Sequence, residues 1–294
     1  MAKPPAKLAR RYRIDDPKKF RLKQIDPGDT GRYRSEEDAE QILGEGTKAL
    51  CEQQEKLYAQ SEWSLLLVFQ AMDGAGKDGT IKHVLSGVNP QGCEVSCFRA
   101  PSEKELKHDF LWRASHGLPE RGRIGIFNRS YYEEVLVVRV HPDYLENQGL
   151  PPKLVTKKIW AERYESINDF ESHLARNGTV VLKFLLHLSP EEQRRRILER
   201  LDDPEKSWKF ESADIEERKL WGRYMHAFEE MVRETSTKVA PWHVIPADNK
   251  WFTRLAVSAV IIEKLRSLRL HRPPVDAEKK REMKKARAAL GRKK

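Results

Sequence analysis

The stretch of sequence that decides the fold is residues 65–80, LLLVFQAMDGAGKDGT. Its apolar start, residues 65–69, predicts a buried strand; the glycine-rich residues 73–79 predict a tight loop, and residues 80–85 have the composition of a helix. A strand, a loop and a helix in this order point several backbone amides, and the positive end of the helix dipole, at one spot. The sequence therefore predicts an anion site in this loop.

The loop carries the residue types that bind phosphate. Lys77 supplies a point charge, and the other residues that we assign to phosphate here are Gly74, Ala75, Gly76, Gly79 and Thr80. The match to G-x-x-x-x-G-K-[ST] is imperfect, because Ala71 replaces the first glycine and Asp78 replaces the hydroxyl residue that usually holds Mg²⁺. Asp73, Asp78 or Thr80 would have to take over that role. A glycine-rich turn with a solvated lysine is the alternative, and the order of the elements favours phosphate binding.

Strands and helices alternate along the rest of the chain. Strands are predicted at residues 64–69, 94–99, 124–127, 179–186 and 242–245, and helices at 35–61 (with a possible break at 44–46), 102–117, 151–176, 190–201, 215–235 and 250–268. Alternation of this kind predicts a parallel sheet covered on both faces, a doubly wound three-layer α/β/α domain. We place this domain at residues 31–270, with a basic N-terminal segment at 1–30 and a basic tail at 271–294.

Polar residues follow the predicted strand at 124–127. Asn128 and Arg129 fall where open α/β sheets place ligands, beyond the carboxyl ends of the strands. Many enzymes with such a loop have Asp in this place, so the anionic role passes to Asp73 and Glu133. Arg129 has the planar guanidinium that suits phosphate oxygens. A strand end with surface charges remains the alternative for this segment.

Cationic residues accumulate between about 190 and 215, and we predict a mobile lid there. The run contains Arg194, Arg195, Arg196, Arg200, Lys206 and Lys209. Charge runs are usually solvated helix faces, but a lid of this kind can neutralise a transferring phosphoryl group. We therefore assign phosphate binding to Arg194, Arg195, Arg200 and Lys209, and also to Arg113 from an earlier helix.

The net charge of +10 lies mainly at the two ends of the 294-residue chain. Residues 1–23 hold nine Lys/Arg against two Asp, and residues 279–294 hold nine Lys/Arg against one Glu, which leaves a balance of −5 for residues 24–278. Basic ends of this kind are usually solvated and flexible and bind any polyanion. We expect no specific nucleic-acid partner. The polar N-terminus and short apolar runs predict a cytoplasmic protein with no membrane partner.

Several stretches resemble the family-2 polyphosphate kinases, from about Tyr12 to Leu268. The resemblance is carried by FQAMDGAGKDGTIKHVL (69–85), FNRSYYEEVLVVRVHPD (127–143), WKF (208–210) and APWHVIPADNKWFT (240–253). It implies a P-loop kinase fold like that of thymidylate kinases, with a helical lid. It also implies active-site roles for Asp73, Lys77, Asp78, Asn128, Arg129 and Glu133. Many members carry Asp where this chain has Asn128. In having Asn there, the chain resembles the subgroup that phosphorylates both nucleoside monophosphates and diphosphates.

These residues predict transfer of a phosphoryl group from inorganic polyphosphate to a purine nucleotide, AMP or ADP and also GMP or GDP, in a reversible reaction. Mg²⁺, or Mn²⁺ in its place, would be held by Asp73 and Glu133. An ATP-dependent nucleotide kinase on the same fold and a basic nucleic-acid-binding protein are the alternatives. Apolar positions on the long helices favour self-association, and the resemblance implies a dimer or a tetramer.

Overall fold

A parallel sheet forms the centre of the computed structural model, which describes residues 6–205 and 207–291. In these residues the sheet has five strands in the order β2-β3-β1-β4-β5, and every neighbouring pair is parallel. The strands are β1 (Ser64–Ala71), β2 (Cys93–Cys97), β3 (Ile124–Asn128), β4 (Thr179–His187) and β5 (Trp242–Pro246). The strand that precedes the glycine-rich loop is thus the central one.

Helices cover both faces of this sheet. In the described residues they are α1 (Ala6–Arg11), α2 (Glu36–Gln60), α3 (Lys77–Val84), α4 (Glu103–Leu106), α5 (Trp112–His116), α6 (Val137–Val140), α7 (Asp143–Glu146), α8 (Ile159–Arg176), α9 (Pro190–Asp202), α10 (Ala213–Lys219), α11 (Trp221–Thr235), α12 (Lys250–Ser267) and α13 (Ala277–Leu290). Short 3-10 helices include Tyr131–Val135 and Ser207–Lys209.

Alternation along β1 explains the two cores. Leu65, Leu67 and Phe69 pack with α2, α3 and α12 on one face, whereas Leu66 and Val68 pack with α8 and α11 on the other. All five side chains are almost completely buried. Successive side chains of a strand point to opposite faces, so a continuous apolar run indicates burial on both sides. The predicted three-layer α/β fold is confirmed.

Four of the predicted helices have different limits in the structure. Helix α2 continues through residues 44–46, so the predicted break is wrong; a Cβ on Gly46 would meet Ile262 of α12 at 3.7 Å, and this close packing supports the helix there. The Ser102–Glu105 capping box is present, but α4 ends at Leu106 and α5 begins only at Trp112. The third long helix begins at Ile159 rather than at 151, and the region 215–235 is divided into α10 and α11 at Leu220.

The two ends of the chain differ in how they pack. Residues of the N-terminal segment belong to the fold: Ile14 donates its N–H to Trp242 O at 2.9 Å, and Val244 donates to Tyr12 O at 2.9 Å, so this segment covers the edge strand β5. The C-terminal segment forms α13, a helix with no buried residue. Among the helices of the described chain, none is both long and apolar enough to cross a bilayer.

Candidate active site

The glycine-rich loop joins the carboxyl end of β1 to α3. Gly74 and Gly76 have φ of 84° and 87°, a backbone conformation that residues with a side chain rarely adopt. A Cβ on Gly74 would also meet Gln193 Cγ at 3.3 Å. Gly76 is the N-cap of α3, so the amides at the start of the helix face the loop. The strand, loop and helix that the sequence predicts are therefore present.

Lys77 folds back over this loop. Its Nζ donates to Ala71 O at 3.0 Å and lies 3.8 Å from Asp73 Oδ1, and the residue is 8% exposed. Burial lowers the pKa of the Lys77 ammonium, while the Asp73 carboxylate opposes that shift. The charge of Lys77 thus lies inside the loop, where it would meet an anion with little water between them.

Arg129 bridges two carboxylates at the mouth of the loop. Its Nη2 donates to Asp73 Oδ1 at 2.6 Å and its Nη1 donates to Glu133 Oε2 at 3.1 Å. Burial acts to raise the pKa of the Asp73 carboxyl, but Lys77 and Arg129 outweigh burial and hold that pKa below its ordinary value. Asp73 is therefore an anion at neutral pH. Arg129 itself has a φ of 61°, which is unusual for a residue other than glycine and marks a sharp bend directly after β3.

The pair assigned to a metal, Asp73 and Glu133, offers the oxygen ligands that Mg²⁺ prefers. Both cations that contact Asp73 reach the same oxygen, Oδ1, so its second oxygen is the one that a metal ion would take. Glu133 uses Oε2 for Arg129. Across the described residues, no cluster of three or more His, Cys, Asp or Glu side chains could enclose a metal. The donor set fits an ion held by one or two carboxylates, with substrate phosphates and water as its remaining ligands.

Asn128 and Asp78 lie beside this group. Asn128 Nδ2 donates to Asp78 Oδ1 at 2.7 Å, so the amide at the end of β3 contacts the first turn of α3. The hydrogen bond joins two positions that the sequence predicts separately. Gly79 and Thr80 belong to the same turn of α3, and Thr80 is buried.

The cationic residues of the predicted lid have different surroundings. Arg195 is exposed and pairs with Glu192 and Glu199, and Arg194 is exposed on the same helix. Arg200 Nη1 donates to Asp214 Oδ2 at 3.0 Å, which ties α9 to α10, and its charge contributes to the low pKa of Asp73. The side chain of Lys209 and all of Lys206 lie outside the described parts of the chain. Their roles in phosphate binding stay predictions.

Two residues of α9 that we do not assign from the sequence contact the loop directly. Gln193 Nε2 donates to Asp73 O at 2.8 Å, and Arg196 Nη1 donates to Gly74 O at 3.1 Å. Arg196 also donates from Nη2 to Ala247 O at 2.6 Å, and it is 6% exposed. The sequence contains Arg196 within the cationic run, and its charge alone does not distinguish it from its neighbours. Helical periodicity could have shown it, because Gln193, Arg196 and Ile197 share one face of α9.

A cleft of about 330 Å³ opens next to Asp73, Arg129 and Glu133. Its far wall is formed by Glu217 and Tyr224, from α10 and α11, and by Phe228. Burial and a hydrogen bond to Glu217 raise the pKa of Tyr224, so its hydroxyl keeps its proton. Nothing in the sequence pattern separates these residues from core positions of an amphipathic helix.

A second cleft, of about 420 Å³, lies beyond β2 and β3. It contains Arg113, Phe110, His108 and Tyr131, and Arg113 Nη1 donates to Arg99 O at 2.8 Å. Arg113 thus lines this second cleft and not the one next to Asp73. The two clefts flank the 3-10 turn Tyr131–Val135.

Comparison with known proteins gives a consistent result. The family model described as Polyphosphate kinase 2 matches residues 33–273. An ADP-polyphosphate phosphotransferase of Rhodopseudomonas palustris is 49% identical over 93% of this chain and 98% of its own length. An AMP/ADP-polyphosphate phosphotransferase of Meiothermus ruber is 45% identical over 90% and 95% of the two chains. The crystal structure of a polyphosphate kinase 2 from Arthrobacter aurescens TC1 superposes with a TM-score of 0.85, at 38% identity and 96% coverage of both chains.

Proposed function

The chain belongs to the polyphosphate kinase 2 family, and we propose that its loop site moves a phosphoryl group from the end of inorganic polyphosphate to a nucleotide. It is a phosphotransferase of polyphosphate. The observation that supports this assignment of the site most strongly is the position of the buried Lys77 ammonium. It lies 3.8 Å from Asp73, in the loop that the backbone amides at the start of α3 face. The acceptors that we propose are AMP and ADP, and GMP and GDP by extension.

The reaction needs positioning and charge rather than a side-chain nucleophile. An oxygen of the acceptor's terminal phosphate attacks the end phosphorus of polyphosphate in line. The new P–O bond forms as the bond to the bridging oxygen breaks, and the shortened polymer leaves with the electron pair as a terminal phosphate oxyanion. In this proposal the loop amides and Lys77 hold the donor phosphates. Arg129, with arginines of the lid, stabilises the charge on the equatorial oxygens.

Asp73 and Glu133 would hold Mg²⁺, or Mn²⁺ in its place, and the metal when bound would neutralise charge on the phosphate oxygens. The metal and Arg129 must then share the carboxylates of Asp73 and Glu133, because Arg129 contacts both of them. We propose that Arg129 turns toward the phosphates once they are bound, since phosphate oxygens accept the same bidentate hydrogen bonds as a carboxylate.

The acceptor side of the site is proposed to be the cleft beyond β2 and β3. It combines the partly exposed ring of Phe110 with the cation Arg113, a combination that suits a base together with a phosphate. Most of its lining residues follow β2 or β3 in the chain, and ligands of an open α/β sheet are expected beyond the carboxyl ends of its strands. The protein is further proposed to work in the cytoplasm as a dimer or a tetramer.

A product assay tests this function. The purified chain is given polyphosphate and Mg²⁺ with AMP, ADP, GMP or GDP in turn, and no ATP. We expect the corresponding nucleoside diphosphate or triphosphate to form. If ATP is required before any nucleotide is phosphorylated, the chain is an ATP-dependent nucleotide kinase instead.

The role of Lys77 is tested against a lysine of the same helix. We expect Lys77→Ala to lower kcat/KM by about two to three orders of magnitude, because the variant removes a positive charge that acts in a dry site. Lys82 is exposed on α3, so Lys82→Ala should retain activity within about twofold. Equal activity of the two variants would reject this use of the loop. Acid-labile phosphate on the enzyme after mixing with labelled polyphosphate would instead favour a phosphohistidine route.

A further inference from the structure

Helix α13 presents a dense cationic surface that the site at the loop does not use. From Ala277 to Leu290 it has six Lys/Arg against two Glu, and every residue is exposed. Lys279 pairs with Glu282 at 3.2 Å, and the helix as a whole carries a net charge of +4. Because none of its residues is buried, packing of a core does not explain this composition. By sequence, residues 24–278 have a net charge of −5.

The helix leaves the fold at the end opposite to the loop. Helix α12 follows β5 at the carboxyl edge of the sheet and has 18 residues, which corresponds to a length of about 27 Å. The chain then passes Gln60, which precedes β1: Gln60 Nε2 and His271 Nδ1 are 3.2 Å apart. Helix α13 therefore begins near the amino edge of the sheet, whereas the phosphate loop lies at the carboxyl edge.

We propose that α13 binds the distal part of a long polyphosphate chain whose reacting end lies in the loop. This inference rests on the proposed function, which places the polymer in that loop. Polyphosphate carries a negative charge on every unit, and release of its counterions would favour binding to a line of lysines and arginines. A chain long enough to span the sheet from one edge to the other would reach α13, and a very short chain would not.

A nucleic acid would satisfy the same charges, but the protein favours polyphosphate by geometry. Once one end of the polymer is held in the loop, the rest of it is tethered to the protein at an effective concentration of roughly millimolar. Weak contacts with α13 then add to the affinity of the loop. A nucleic acid has no such anchor, so it would depend on α13 alone.

The test uses variants that change the charge of α13 but keep its helix. The first replaces all six cations by glutamine (Lys279, Lys280, Arg281, Lys284, Lys285 and Arg287), and the second, Glu278→Gln with Glu282→Gln, removes the two acids. Glutamine has about the same helix propensity as lysine and arginine. KM and kcat are measured for long-chain polyphosphate and for tripolyphosphate at a saturating concentration of ADP.

We expect the cation-free variant to raise KM for the long chain by about tenfold, with kcat unchanged, and the acid-free variant to lower it. For tripolyphosphate both variants should match the wild type, which shows that the loop site still works. The wild type should also show a steeper dependence of this KM on salt than the cation-free variant.

Two results would overturn the proposal. One is an unchanged KM for the long chain in both variants while tripolyphosphate is turned over normally. The other is loss of binding to a labelled DNA duplex in the cation-free variant without any change in polyphosphate kinetics, which would assign α13 to nucleic acid. If no variant and no wild-type sample turns over tripolyphosphate or long-chain polyphosphate, the proposed function fails, and that outcome is distinct from both.

Discussion

Arg195 and Arg196 are neighbours on α9 and both contact Glu192, but Arg196 is buried and Arg195 is exposed. Arg196 is 6% exposed and donates to Gly74 O, Ala247 O and Asp248 O. Arg195 is exposed and contacts Glu192 and Glu199 of its own helix. Sequence alone gives both residues the same charge and the same helix. The three carbonyl contacts make Arg196 a brace between the loop and the segment that follows β5.

We predict that Arg196→Gln lowers kcat/KM by about 10- to 100-fold, because each hydrogen bond from a charged group contributes roughly 1.5–3 kcal/mol. The matched variant Arg195→Gln should stay within about threefold of the wild type, since exposed ion pairs contribute little. Steady-state kinetics with polyphosphate and ADP measure both. A larger loss in Arg195→Gln than in Arg196→Gln would show that the exposed arginine is the one that reaches substrate.

Arg129 occupies the position between two carboxylates that the sequence assigns to a metal. Its guanidinium is 2.6 Å from Asp73 and 3.1 Å from Glu133, so it neutralises the charge that would attract an ion. We therefore expect metal to bind weakly until phosphate is present and draws the guanidinium away. The sequence predicts that Asp73, Glu133 and Arg129 belong to the site. It does not predict that Arg129 lies between the two carboxylates.

We predict that Arg129→Gln binds metal more tightly than the wild type when no substrate is present. Without polyphosphate or nucleotide, this variant should bind Mn²⁺ at least about tenfold more tightly than the wild type, since a charge a few ångströms from the ion opposes binding by more than 1 kcal/mol. Electron paramagnetic resonance of free Mn²⁺ gives the dissociation constants. Adding Glu133→Gln should remove the gain. Equal affinity in the wild type and Arg129→Gln would mean that Arg129 does not occupy the metal's place.

At the scale of elements, a buried network holds the turn Tyr131–Val135 that carries Glu133. The hydroxyls of Tyr131 and Tyr132 both donate to Glu171 Oε1, at 2.9 and 2.8 Å. Lys183 of β4 donates to Glu171 Oε2 at 2.6 Å, and both ionic side chains are fully buried. Burial lowers the pKa of Lys183, and the adjacent Glu171 carboxylate opposes the shift. The turn is thus tied to the central sheet and to α8.

We predict that Lys183→Met lowers the free energy of unfolding by about 3–5 kcal/mol, because it leaves the charge of the buried Glu171 carboxylate without a compensating cation. The double variant Lys183→Met with Glu171→Gln should recover most of that loss, since glutamine still accepts from the tyrosines and carries no charge. Urea unfolding measures both. If the double variant is as unstable as the single one, the charge of Glu171 is not the cause.

Element boundaries show where sequence patterns suffice. The run in β1 and the β-branched run in β4 predict their strands because burial on both faces requires continuous apolar residues. The glycines at 44 and 46 suggest a break, but contacts of α2 with α12 stabilise a continuous helix. Tertiary contacts of this kind cannot be predicted from local composition.

Some residues of the site could be predicted from the sequence. Lys77 and Asp73 belong to the glycine-rich loop, and Arg129 follows the end of a predicted strand. Arg196, Glu217 and Tyr224 come from distant segments. Only the folded chain brings Arg196 to the loop and places Glu217 and Tyr224 in the cleft.

For the whole molecule, His243 links stability to pH. It lies in β5 beneath the N-terminal segment, is 3% exposed, and its Nδ1 faces Lys183 O at 3.3 Å. Burial lowers its pKa to about 4; the hydrogen bond with Lys183 O opposes that shift, and the charges of Arg13 and Lys183 add to it. Between pH 4 and its ordinary pKa of 6.5, the unfolded chain binds a proton that the folded chain does not. Stability therefore falls as pH decreases through this window.

The free energy of unfolding should fall by about 2 kcal/mol more in the wild type than in His243→Gln between about pH 7.5 and about pH 4.5. Carboxylates also titrate in this range, so the quantity to compare is the difference between the two proteins. Urea unfolding followed by circular dichroism supplies it. Parallel pH profiles of the two proteins would show that His243 is not kept neutral by the fold.

The position at which the phosphate chain binds decides whether the glycine-rich loop is the active site. A crystal structure of the full chain with polyphosphate and Mg²⁺, in the absence of nucleotide, tests this directly. We predict that terminal phosphates lie within hydrogen-bond distance of the amides of residues 74–78 and of Lys77 Nζ, with Arg129 turned from Asp73 toward the phosphate oxygens. An ordered phosphate chain elsewhere on the protein, with the loop around Gly76 empty, would contradict the proposed site.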